Sequence, residues 1–238
     1  MLVSIVIPAL NEEKYLGQTL TALKGQNHPD FDLEVIVADA MSTDRTAAIA
    51  QANGAWVITA KNVNPATARQ AGIEAAHGEI VVCLDADTLP SSPEWLNNLV
   101  KPLRNDDKMV AVTGTVAFAN VSPCRNWLYS TGTTLHYLIN HRLGKKILQG
   151  QNFAFKKFAF EKIGGLNVNL STGEDLDLGL RLSRIGQVSF QSQAKVVTSL
   201  RRTKEGWWAI ARGLLSYLEV VWGLKFLKVA GQPFPSLR

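Results

Sequence analysis

Five consecutive apolar residues, Ile80-Val81-Val82-Cys83-Leu84, end abruptly at Asp85-Ala86-Asp87. A strand that is apolar at every position has no face to give to water, so it belongs in a sheet covered on both sides, as in parallel α/β folds. The preceding sequence supplies the layers such a sheet needs. Residues 3–7 form a short buried-type strand, and residues 12–26 carry Leu16, Leu20 and Leu23 at the spacing of a helix with one apolar face. Residues 33–38 and 55–59 read as two more strands, with a helix over 44–52 between them. Asn64-Pro65 predicts a helix start, because Asn accepts from free N–H groups and Pro is preset for the first helical position; that helix runs to about His77. Ser92-Pro93 opens another, to about Leu103.

Beyond a strand over 109–118 the pattern loosens. Residues 124–143 read as helix, 151–155 as extended, Gly164-Gly165 as a break, 174–185 as helix and 196–200 as a last strand. The expected organisation is one α/β domain over 1–203, with a nucleotide-type half (1–118) and an elaborated half (119–203), followed by an amphipathic helix and tail over 204–238. Composition excludes the other broad classes. With 46% hydrophobic residues, 18 Gly and 2 Cys in 238 residues, the chain is no disordered segment, collagen or disulfide scaffold. Cys83 lies in a core run and Cys124 in another segment, so both are expected as free thiols in a reducing compartment, hence a cytoplasmic location. The apolar residues 1–7 lack a basic flank and end at Pro8, which fits a first core strand better than an export signal.

The net charge of +5 is unevenly spread: from Lys195 onward eight basic residues face only Glu205 and Glu219, leaving residues 1–194 at −1. A basic end suits phosphate groups or an anionic membrane surface, with plain solvation as the alternative. No feature points to nucleic acid.

Ligands of parallel sheets gather at the carboxyl ends of the strands. The polar residues there are Asn11 and Glu12 after Pro8, then Asp39, then Asp85 and Asp87. In an extended segment Asp85 and Asp87 would point the same way and could hold a hard divalent cation while leaving positions for phosphate oxygens; alone, the pair is a weak signal and more often turn chemistry. Asp39 is a candidate acceptor for a ligand N–H, or the head of an Asx turn; Ser42 or Thr43 is expected to cap the next helix. Thr172-Gly173-Glu174-Asp175 matches a capping box, with Thr172 capping and Asp175 reaching back. Asp175 also shares a stripe with Leu178 and Leu182, so it projects from the core-facing side. Desolvation there raises a carboxyl pKa toward that of a general base working near neutral pH. Arg201 and Arg202 follow the last strand and suit a diphosphate. Residues 205–228 combine three Trp, Tyr217 and flanking Lys225 and Lys228, as in an interfacial helix; packing on the domain or in a homodimer is the alternative.

Taken in order, these segments resemble the family-2 glycosyltransferases of the GT-A fold, over roughly residues 2–203. Residues 3–12, ending Pro8-Ala9-Leu10-Asn11-Glu12, look like the family's opening strand and turn, and Asp39-Ala40-Met41-Ser42-Thr43-Asp44 resembles its Asp-x-x-Ser-x-Asp segment. Ala68-Arg69-Gln70-Ala71-Gly72 and the run into Asp85-Ala86-Asp87 are similar to the approach to its metal motif, and Gly173-Glu174-Asp175-Leu176-Asp177-Leu178 to its acidic catalytic motif. The resemblance implies a Rossmann-like, mostly parallel sheet flanked by helices, with acceptor-side helices toward the C-terminus. It implies that Pro8, Asn11, Glu12, Asp39 and Arg69 line the donor nucleotide site, that Asp85 faces the donor, and that Asp87 holds Mn²⁺ or Mg²⁺ against its diphosphate. Asp175 would then take the acceptor's proton, with Glu174 assisting, in one inverting displacement. The donor is expected to be UDP- or GDP-linked and the acceptor a glycan or a polyprenyl-linked molecule. The Gln-x-x-Arg-Trp motif and long membrane spans of the processive synthases are missing, so the likeness is to the small non-processive bacterial and archaeal members. Two alternatives stay open: a sugar-phosphate nucleotidyltransferase, against which stands the lack of a Gly-rich phosphate loop after the first strand, and a non-catalytic nucleotide- or membrane-binding module.

Overall fold

A computed structural model describes residues 1–61, 64–119, 122–170, 172–199, 215 and 217–223. The front half alternates strand and helix: β1 (Leu2–Ala9), α1 (Leu16–Lys24), β2 (Asp32–Asp39), α2 (Thr46–Ala52), β3 (Trp56–Thr59), α3 (Pro65–Ala75) and β4 (Ile80–Leu84). There follow β5 (Thr88–Pro90), α4 (Trp95–Asn105), β6 (Met109–Phe118), α5 (Pro123–Arg142), β7 (Asn152–Lys156), α6 (Lys157–Lys162), α7 (Glu174–Leu182) and β8 (Gln187–Thr198). One sheet of eight strands runs β3-β2-β1-β4-β7-β6-β8-β5. The pairs β3-β2, β2-β1, β1-β4 and β6-β8 are parallel; β7 is antiparallel to both its neighbours, as is β5 to β8. The chain is thus the α/β fold with a mostly parallel sheet that the sequence predicts.

Strand alternation divides the core into two layers. Ile5, Ile7, Val82 and Leu84 pack with Leu16, Leu20, Trp95 and Leu99 from α1 and α4. Val6, Val81 and Cys83 pack on the opposite face with Ile73, Phe160, Leu178 and Leu182 from α3, α6 and α7. β4 therefore has no solvent face, and all five of its residues are buried. Asn152 ties the antiparallel strand into this frame: its Oδ1 accepts the Trp95 indole N–H at 2.9 Å and its Nδ2 donates to the Thr115 and Ala194 carbonyls at 3.0 and 2.8 Å. The hub keeps β7 rigid, which matters because the chain entering β7 meets the site.

Local differences from expectation have visible causes. α1 begins at Leu16 rather than Glu12, because Asn11 is left-handed (φ 54°) and the Glu12 and Glu13 N–H groups donate to Thr46 Oγ1 and Asp44 Oδ2 at 2.7 and 3.1 Å. Asn64 caps α3 as predicted, its Oδ1 accepting the Ala66 N–H at 2.9 Å. The N-cap of α7 is Gly173 rather than Thr172, at φ 79°, a left-handed position suited to glycine. Nor do Ser42 or Thr43 cap α2, whose N-cap is Arg45; both are drawn to Asn11 instead. Both cysteines are free, Cys83 buried and Cys124 exposed. Among the described residues, no helix is long and apolar enough to cross a membrane.

Candidate active site

The parallel register places the chain ends named by the sequence along one edge. Ala9 pairs with Asp39 at the ends of β1 and β2, and Val6 pairs with Cys83, so β4 delivers Asp85 to the same edge. The turns after β1 and β2 are laced together: the Asn11 N–H donates to Ser42 Oγ and Asn11 Oδ1 accepts the Thr43 N–H, each at 2.9 Å. Pro8 is half-buried beside this clasp and Glu12 is buried beneath it.

Asp39 sits in that wall almost wholly out of water. Its Oδ2 accepts the Ser42 N–H at 3.2 Å, the Asx-type contact, while Oδ1 is buried without a hydrogen-bond partner. A buried carboxylate oxygen with no donor is costly to leave so, and a ligand N–H would satisfy it.

Arg69 is the centre of the cluster. It projects from the second turn of α3, its side chain 4% exposed. Nη2 donates to Asp85 Oδ1 at 2.9 Å, and Nη1 makes a short bond to Glu174 Oε1. Burial disfavours its charge, yet the Glu174 and Asp85 carboxylates outweigh that and drive its pKa further up, so it stays a cation. The sequence reading put Arg69 against the donor nucleotide; its fork is engaged with two carboxylates from opposite halves of the chain.

The segment 85–87 is a turn rather than the extended stretch expected. The Thr88 N–H closes it on the Asp85 carbonyl at 3.1 Å, and Thr19 Oγ1 of α1 holds the Ala86 carbonyl at 2.8 Å. The two carboxylates therefore serve different partners: Asp85 turns to Arg69, and Asp87 Oδ2 accepts from Ser199 Oγ at 2.9 Å, just beyond β8. Ser199 is brought there because β5 pairs with the end of β8, Thr88 opposite Thr198.

Asp175 lies in the first turn of α7, where Leu178 and Leu182 on its stripe are fully buried. It is itself half-buried and accepts N–H bonds from Leu176 and Gly150. A Cβ on Gly150 would stand 3.0 Å from Asp175 Oδ2, so only glycine lets the backbone come this close without displacing the carboxylate. Desolvation, reinforced by the neighbouring Glu174 charge and only partly opposed by Arg69, pushes Asp175 up to about 7. Gly150 was not singled out from the sequence; its position just ahead of a strand entering the sheet was the available signal.

Asp85 at the end of β4 and Glu174 at the start of α7 thus meet through one guanidinium. Among the described residues no three His, Cys, Asp or Glu side chains form a metal cage by themselves. One or two carboxylates can hold a hard cation only where other oxygens, such as those of a phosphate, complete its shell. Arg201 and Arg202 lie outside the described residues.

Comparison with known proteins places this geometry. The family model described as glycosyl transferase family 2 matches residues 4–164. The chain belongs to that family. Among relatives of this family-2 chain is a probable glycosyltransferase, YdaM of Bacillus subtilis, 28% identical over 228 residues that cover 87% of this chain and 52% of YdaM. The chain therefore spans about half the length of that relative. Similar solved structures include the mannosyltransferase PcManGT of Pyrobaculum calidifontis in complex with GDP-Man and Mn²⁺ (TM-score 0.72, 21% identity, 96% of this chain and 68% of that one). Another is glucosyl-3-phosphoglycerate synthase of Mycobacterium tuberculosis with Mn²⁺, UDP and phosphoglyceric acid (TM-score 0.65, 22% identity, 92% and 78%). At these identities the likeness establishes the GT-A fold.

Proposed function

We propose that this family-2 chain is an inverting glycosyltransferase that moves a sugar from a UDP- or GDP-linked donor to a hydroxyl of a glycan or a lipid-linked acceptor. The observation that carries the reading is Arg69, which joins Asp85 at the end of β4 to Glu174 beside Asp175 and so makes one pocket of the donor and acceptor sides. The unpartnered Asp39 Oδ1 supports an N–H of the base as its partner; uracil and guanine both offer one, so the base is left between them. Pro8, Asn11 and Glu12 would form the wall on which the nucleotide rests.

Asp87, with Asp85, would hold the divalent cation. Mn²⁺ in the complexes of PcManGT and the mycobacterial synthase supports a metal of this kind, and Mg²⁺ suits the same oxygen donors. When bound, the cation supplies charge neutralisation for a departing diphosphate. The chain's own groups do the rest. Asp175, poised near neutrality, takes the proton of the acceptor hydroxyl as its oxygen bonds to the anomeric carbon, and the nucleoside diphosphate leaves with the electron pair of the broken bond. Glu174 and Arg69 fix where Asp175 stands, while Arg201 and Arg202, adjacent guanidinium groups, would face the diphosphate. Free thiols and the basic tail fit a cytoplasmic enzyme whose residues 205–228 touch the inner membrane face; the described part, Tyr217 and Val221, packs on Tyr137 and Ile147 of its own domain.

The test is a panel of UDP- and GDP-sugars with Mn²⁺ or Mg²⁺, followed by proton NMR of the product. The reading expects transfer from one nucleotide class with the anomeric configuration inverted. Retained configuration, or release of pyrophosphate from a nucleoside triphosphate and a sugar phosphate, would overturn it.

A further inference from the structure

We propose that the outward face of α5 is a docking surface for an anionic lipid bilayer, an apolar contact separate from the tail. At 100° per residue, α5 turns Asn126, Ser130, Thr133, Tyr137 and Asn140 toward the domain, and of these Tyr137 and Asn140 are fully buried. The opposite arc, about 160° wide, carries Trp127, Leu138, Leu135 and Ile139, continued by the C-cap Leu143, with Thr131, Gly132 and Arg142 among them. Each of the five apolar residues is between 44% and 66% exposed. Soluble surfaces tolerate single exposed apolar residues, but five on one stripe of a twenty-residue helix form a patch of the kind that meets a partner.

The side of α5 next to this arc is already covered. Tyr217 OH donates to Asn140 Oδ1 at 2.6 Å and its ring meets His136 edge-on, while Val221 is buried with Tyr137 and Ile147. Trp222 emerges at the border, 47% exposed, with Lys145 Nζ 5.6 Å from its ring centroid. The described part of the tail thus leaves the outward arc open and adds an indole and an ammonium to its rim.

Charge identifies the occupant. From Lys108 to Phe160 the chain contains no Asp or Glu, and the end of α5 with its following loop carries Arg142, Lys145 and Lys146. A second copy docking by a two-fold axis would set the cations of α5 and its following loop against their own copies, like charge against like. The chain's own residues 224–238 are also basic and acid-free, with Lys225, Lys228 and Arg238. An anionic bilayer matches on both counts: Trp and Leu enter the interface, and Arg142, Lys145 and Lys146 at the C-terminal end of the face meet lipid phosphates. α5 ends eight residues before Gly150, which touches Asp175, so the bilayer would lie toward the acceptor side of the pocket.

The experiment is flotation of the full chain with vesicles of phosphatidylcholine alone or with phosphatidylglycerol. It compares the unmodified protein with Leu135→Ser/Leu138→Ser and, separately, Arg142→Glu/Lys145→Glu. Circular dichroism melts confirm folding, and sedimentation reports oligomeric state. We expect binding to the anionic vesicles only, weakened about tenfold or more by either pair, with melting unchanged for at least one of them. Unaltered flotation of both variants would assign membrane contact to the tail and overturn the proposal. So would no flotation of the unmodified protein, or a dimer that the Leu pair converts to monomer.

Discussion

Asp175→Asn should reduce turnover by about 10³-fold, within the 10²–10⁴ that a positioned general base contributes, while the affinity for the donor nucleotide is kept. Asn preserves the shape and keeps one acceptor oxygen for the backbone N–H groups of Gly150 and Leu176, but it cannot take a proton. The unmodified enzyme should show kcat/KM rising with pH through about 7, because only the ionised carboxyl is a base, and the variant should lose that limb. Stability gives an independent check of the same group. Its folded pKa, about 7, lies above the unfolded value near 3.9, so between those pH values the folded state holds the extra proton and stability falls as pH rises. The melting temperature of Asp175→Asn relative to the parent should therefore climb from pH 4 to pH 7 and then level off. Substantial residual turnover with an intact pH limb would remove Asp175 as base and favour an acceptor that is already an anion, such as a polyprenyl phosphate.

Arg69→Met should destabilise the fold by about 4 kcal/mol, since removing one partner of a buried ion pair leaves an uncompensated charge, here two of them. For a domain of this size that is a fall of about 10 °C in Tm, read by calorimetry or circular dichroism. Arg69→Lys should fall between, because a single ammonium cannot serve Asp85 and Glu174 at once in a planar fork. The triple change Arg69→Met with Asp85→Asn and Glu174→Gln should regain most of the loss, as buried ion pairs replaced by neutral groups are often tolerated. A Tm for Arg69→Met within about 2 °C of the parent would mean that the three side chains do not form the buried cluster described.

What the sequence disclosed and what it hid follow from the range of the forces involved. β1 to β4 and α3 were legible because their signals are local: apolar runs, a helical Leu spacing, and Asn64-Pro65 at a helix start. β5 was not, since three residues ending in Pro90 have no pattern of their own and exist as a strand only because β8 pairs with them. β8 was read from its last residues alone, because its polar middle, Gln191 to Gln193, accompanies a break in register against β6 between Gly114 and Thr115. In the site, the acids at strand ends were legible from topology, yet their pairings were not. Arg69 and Glu174 are 105 residues apart, and Asp87 and Ser199 are 112 apart, so no periodicity relates them. The N-cap of α7 was misplaced by one residue for a related reason, as glycine's access to the left-handed region lets the backbone turn into α7 at Gly173.

That acids from separate strands share one cation and one diphosphate is best tested by calorimetric titration of UDP and GDP, with and without Mn²⁺, into the parent chain and Asp87→Ala. The account predicts that one nucleotide binds about tenfold more tightly with the metal, roughly 1.4 kcal/mol, and that Asp87→Ala abolishes the gain while leaving metal-free binding unchanged. Affinities for that nucleotide that are equal with and without Mn²⁺ in the parent chain would contradict it.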